Sequence, residues 1–259
     1  MLWSVRSPDL MAPSYLFGTM HVRDHRAYTF YEQACRCIDQ CEAMALEFDL
    51  GRMDQDTQAV IMQQVPAQSL EALLPSRKLE KIRKFFLRAL SVDIFPLRQL
   101  SPLLVSNIIN ERLLEEDHPI ALDEMLWQYA RQADKTILGI ETYEEQLKVL
   151  QKIPPEVQAQ SIVAMARHFR QHRRHLLRLA ALYAAGNLPQ LHQSSKHSLS
   201  GMRYPMLYRR NAIMAERIGK MIAGQPVFCA VGAGHLYGGK GVLRLLKKQG
   251  LSVAPVPPQ

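Results

Sequence analysis

"PVFCAVGAGHLYGGKGVLRLLKKQGLSVAPV", residues 226–256, runs an apolar stretch into a glycine-rich turn, then an amphipathic stretch, then a second apolar stretch. The first run is rich in branched and aromatic residues and lacks polar alternation, which predicts a strand at 226–232 covered on both faces. With the helix and last strand that follow, it reads as a unit of a parallel sheet. Further short apolar runs occur at "SYLFGT" (14–19), "AMALEF" (43–48) and "TILGI" (136–140), beside "SVAPV" (252–256) at the end of the unit. Most lead into a helical pattern. This alternation predicts an α/β fold, a central mostly parallel sheet flanked by helices. Two stretches of helical periodicity interrupt it: about 55–133, broken at Pro66, Pro75, Pro96 and Pro102, and about 155–223, broken near Gly186 to Pro189. They read as large helical insertions into a single domain over 1–259.

Composition bounds the function classes. The 259 residues are 47% hydrophobic and 22% charged, an ordinary globular balance with ample core. The formal charge of +8 is partly local, concentrated in "RHFRQHRRHLLR" (167–178), where Arg167, Arg170, Arg174 and Arg178 share one face. That face lacks interleaved aromatics and recognised binding motifs, so it predicts a solvated surface and no nucleic-acid partner. Met165, Phe169, His172, Leu176, Leu179 and Tyr183 follow a three-four spacing, a core stripe in which His172 is a satisfied core histidine. The first sixteen residues carry Arg6, Pro8, Asp9 and Pro13, which is not the apolar core of a signal peptide, and no run is long enough for a membrane span. The chain as given reads as soluble, and as cytoplasmic unless a leader was removed. Cys35, Cys37, Cys41 and Cys229 contain no Cys-x-x-Cys pair and read as free thiols, with a helix expected at about 27–41.

The chemistry lies at the strand ends. Gly18-Thr19-Met20-His21 closes the run at 14–19, and Gly232-Ala233-Gly234-His235 closes the run at 226–232, so one Gly-x-x-His pattern occurs twice. In open α/β sheets the carboxyl ends of strands form the ligand crevice, where residues far apart in sequence converge. Glu47 ends the run at 43–48 and arrives there as well. Two imidazoles and a carboxylate suit a divalent metal, or a general base with its orienting group. Gly18, Gly232 and Gly234 would let the backbone pass close to such a site. The run "GAGHLYGGKG" is not Gly-x-Gly-x-x-Gly and lacks the Lys-Ser/Thr of a P-loop, and no His-Glu-x-x-His occurs. His25 reads as a surface neighbour of the site.

"SYLFGTMHV", "ALEFD", "LDEMLWQYARQADKTILGIETYEEQL", "RRNAIMAERI" and the closing run together resemble the TraB/GumN family, in order and spacing, from about residue 2 to 256. That family includes the TIKI peptidases and is similar in fold to the ChaN haem-uptake and erythromycin esterase-like proteins. The resemblance implies two Gly-x-x-His signatures at His21 and His235, a strand-end Glu47, Arg210 within "RRN", and Glu141 within Gly139-Ile140-Glu141-Thr142, where the family has Leu in place of Ile140. It implies a metal-dependent hydrolase acting on a peptide or small-molecule substrate, with Mn, Co or Zn held by His21, His235 and Glu47. Glu47, if not a ligand, would be the general base, Arg210 would stabilise an oxyanion, and Glu141 would orient a histidine or, alternatively, serve the start of the following helix. The other reading is a non-catalytic binding or regulatory protein that uses the same cleft for haem or a peptide.

Overall fold

A computed structural model describes residues 1–8, 10–52, 68–114, 116–150, 152–198 and 207–257. Six strands form one sheet in the order β4-β3-β5-β2-β1-β6. They are β1 (Leu2–Arg6), β2 (Ser14–Thr19), β3 (Ala43–Leu46), β4 (Thr136–Gly139), β5 (Val227–Gly232) and β6 (Ser252–Pro255). Every residue of β2 and β3 is buried, as are the first five of β5, because these central strands are covered on both faces. β4 and β6 lie at the edges and are largely exposed or half-buried. The fold is α/β, as the apolar runs predict.

The pairing decides where the chemistry goes. β4, β3, β5 and β2 are mutually parallel, with Leu46 opposite Gly139 and Ala230, and Thr19 opposite Gly232. Their carboxyl ends therefore point the same way. β1 runs antiparallel to both β2 and β6 and was not among the strands expected. The expected helix at 27–41 resolves into a 3-10 turn, His25–Phe30, capped by the Asp24 carboxylate, and a helix at Tyr31–Asp39.

Helices at Tyr31–Asp39, Leu122–Gln132, Arg209–Met221 and Val242–Lys248 cover the sheet, sending Ile38, Leu126, Met214 and Leu246 into its core. A second apolar cluster joins Leu70, Phe86 and Ile109 to Ile162 and Met165, so the two helix-rich stretches meet each other. Of the proposed insertions, residues 55–67 and 199–206 lie outside the described residues, as do the last two residues of the chain.

The expected core stripe spans both clusters. Met165, Phe169 and Leu176 pack in the second cluster, while Tyr183 packs in the first. The helix carrying them is divided at His168, whose backbone (φ −111°, ψ 31°) separates Pro155–Arg167 from Phe169–Ala184. His172 bonds Asn110 Oδ1 through Nε2 at 3.0 Å. Arg167, Arg170, Arg174 and Arg178 are exposed. Among the described residues no helix is long and apolar enough to cross a membrane.

Candidate functional site

Each of the four parallel strands ends on one of the residues singled out in the sequence. Across the crest of the sheet the order is Glu141 after β4, Glu47 after β3, His235 after β5 and His21 after β2. Arg210 enters from the first turn of the helix Arg209–Met221.

Glu47, Glu141 and Arg210 form one network, buried at Glu141 and half-buried at Glu47 and Arg210. Arg210 Nη2 donates to Glu47 Oε2 at 2.7 Å and to Glu141 Oε2 at 2.6 Å, and Arg210 Nε donates to Glu141 Oε1 at 3.1 Å. Gln146 Nε2 reaches Glu47 at 3.3 Å and Glu141 at 3.4 Å. The Gly232 N–H donates to Glu47 Oε1 at 2.7 Å. A Cβ on Gly232 would stand 3.1 Å from that oxygen, so glycine here permits the close approach that the hydrogen bond requires. Burial alone would raise the Glu47 carboxyl; the Arg210 guanidinium and the Gly232 N–H outweigh it and hold it below the usual carboxylate range.

His235 is buried beside this network. Its Nε2 lies 3.9 Å from Glu47 Oε1, and its Nδ1 bonds Asn211 Oδ1 at 2.6 Å. Burial pushes the imidazole down to about 4, so it is neutral at pH 7. Gly18 matters from the neighbouring strand, since a Cβ there would meet Leu236 Cδ1 at 2.6 Å and the Ala233 backbone at 3.2 Å. The two Gly-x-x-His turns thus lie against each other. At Gly234 a Cβ would meet open space.

His21 stands apart. Its side chain is two-thirds exposed and its Nδ1 bonds both oxygens of Asp123 at 2.8 Å, a hydrogen bond that raises the imidazole above its ordinary value. It borders a cleft of about 270 Å³ with Arg23, Glu111 and Glu124. The structure brings Glu47, Glu141, Arg210 and His235 together, whereas the ligand atoms of His21, Glu47 and His235 do not all fall within 4.8 Å of one another. Among the described residues that condition is met by Asp24, His25 and Asp117, a grouping the sequence did not single out. There His25 Nδ1 bonds Asp117 Oδ2 at 2.8 Å, and Asp24 is already engaged by Arg26 Nε at 2.7 Å. The sequence also gave no role to Asn211, Asp123 or Gln146.

The model of the TraB/PrgY/gumN family matches residues 1–255. The chain belongs to this family. It is similar to metalloprotease TIKI2 of Danio rerio, 24% identical over 319 residues that take in all of this chain and 61% of that protein. It is likewise similar to metalloprotease TIKI1 of Danio rerio, 24% identical over 317 residues, 99% of this chain and 63% of that protein. The chain thus spans about three fifths of the length of the curated relatives it matches. No solved structure matches it.

Proposed function

We propose that the chain is a metal-dependent hydrolase acting on peptide or amide bonds, in the manner that the names of its TIKI relatives indicate. What carries the reading is the crest itself, where four parallel strands deliver Glu141, Glu47, His235 and His21 in spatial order, with Arg210 joined to two of them. The donor chemistry fits a divalent ion, since a neutral buried imidazole and an ionised carboxylate face each other and a second imidazole ends the adjacent strand. His21, His235 and Glu47 would hold Mn, Co or Zn, which when bound polarises a carbonyl and acidifies a water.

The remaining steps belong to the chain. Glu47 is ionised at neutral pH and, where it is not a ligand, takes a proton from the attacking water and returns it to the leaving amine. Arg210 commits Nε and Nη2 to the two glutamates; among the described residues its Nη1 makes no hydrogen bond, which leaves one donor for a developing oxyanion. Glu141 holds the guanidinium in place and keeps it from rotating onto Glu47 alone. The substrate is a peptide and no nucleic acid is required.

The test is metal analysis of protein purified without chelators, together with hydrolysis of a mixture of unstructured peptides. Expected are bound Mn, Co or Zn, cleavage that chelation abolishes, and a loss of about 10²- to 10⁴-fold in Glu47→Gln. Cleavage indifferent to chelation, or wild-type turnover in Glu47→Gln, overturns the reading.

A further inference from the structure

We propose that Asn211 and Asp123 are positioning residues that hold both Gly-x-x-His histidines with the proton on Nδ1, so that Nε2 is the nitrogen each keeps for a ligand or substrate. At His235 the argument is one of hydrogen-bond direction. The Lys240 backbone carbonyl can only accept, and it takes a hydrogen bond from Asn211 Nδ2 at 2.7 Å. That fixes which end of the Asn211 amide is which. Its oxygen must then face His235 Nδ1 at 2.6 Å, and an amide oxygen can only accept, so the ring proton is on Nδ1. Asn211 is buried, as is His235, and turning the ring over would leave the amide oxygen without a donor, at a cost of roughly 1–3 kcal/mol. Nε2 is left with its lone pair, 3.9 Å from Glu47.

The same rule holds at the second histidine with different chemistry. Asp123, in the first turn of the helix Leu122–Gln132, places both carboxylate oxygens 2.8 Å from His21 Nδ1, and a carboxylate likewise only accepts. The two rings are thus set alike by residues from different helices. A histidine whose second nitrogen is bonded to an oxygen acceptor has the arrangement that ligating histidines use, and it equally suits a base.

Nitrogen-15 NMR of histidine-labelled, metal-free protein at pH 7 reads the tautomer directly. Wild type should show His235 protonated on Nδ1 and bare on Nε2. Asn211→Asp keeps the acceptor and should keep that pattern, whereas Asn211→Leu should lose it and bind zinc, titrated alone, about 10- to 100-fold more weakly. A merely structural role for Asn211 predicts that Asp and Leu behave alike, since both remove the amide donor to Lys240. Asp123→Ala should alter His21 only. Protonation of wild-type His235 on Nε2, an unchanged Nδ1–H pattern in Asn211→Leu, or its loss in Asn211→Asp overturns the proposal. Should Asn211→Leu not fold, wild type and Asn211→Asp still decide it. The readout needs no turnover, so a chain that cleaves nothing leaves the tautomers standing, while an active chain with the other tautomer sinks this inference alone.

Discussion

His235 shows how one residue couples the site to stability. Burial holds its imidazole at about 4, below the ordinary 6.5, so on acidification the unfolded chain takes up this proton before the folded chain does. Acid therefore favours unfolding, with full stability present above about 6.5 and progressively lost as pH falls towards 4. The loss from this group alone is on the order of 2–3 kcal/mol. His235→Asn, which cannot titrate, should show a flatter stability profile than wild type between pH 7 and 4 in urea denaturation. Parallel profiles would show that the folded ring protonates as readily as the unfolded one. The thiols behave differently: burial pushes Cys35 up to about 11 and Cys41 up to about 12, so they remain protonated and inert over the same range.

At the scale of elements, the turns are held by a helix that reaches the sheet from the side. Tyr183, near the end of Phe169–Ala184, donates its buried hydroxyl to the Gly18 carbonyl at 2.7 Å, tying that helix to the carboxyl end of β2. Tyr183→Phe keeps the ring and removes only this donor, and should cost about 1–2 kcal/mol, read as a lower urea midpoint with unchanged slope. A null result would mean that water satisfies the carbonyl. The elements themselves differed in how plainly the sequence spoke. Parallel strands covered on both faces must be apolar throughout, so β2, β3 and β5 stand out as uninterrupted runs. β1, "LWSVR", mixes buried Leu2 and Val5 with half-buried Trp3 and Ser4 and exposed Arg6, and gives no such run. Glu47, His21 and His235 were legible because each follows an apolar run, whereas Glu141 and Arg210 entered only through the family resemblance. Asn211 and Asp123 were not legible, because each acts through a histidine 24 or 102 positions away, and that relation exists only once the chain has folded.

Across the whole molecule, the Glu47–Arg210–Glu141 network joins the ends of β3 and β4 to a helix whose Arg210 lies 163 residues after the first of these glutamates. Glu141 and Arg210 have side chains only 2% and 13% exposed, so each charge depends on the others for its solvation. In such a triad the cost of removing one member exceeds the worth of the pair it breaks, because the partners are left buried and uncompensated. Arg210→Met, close in volume, should therefore destabilise by about 3–5 kcal/mol. The test lies in the combination: Arg210→Met/Glu47→Gln/Glu141→Gln removes the stranded charges and should recover part of that loss in urea denaturation, although three residues are changed in place of one. Both variants should be inactive, since the triple variant lacks the base and the oxyanion donor. Stability that returns without activity would separate what Arg210 does for the fold from what it does for chemistry. An Arg210→Met variant within about 1 kcal/mol of wild type would instead mean that water reaches the two glutamates, and the crest would then be a solvated cleft in which neither carboxylate is held.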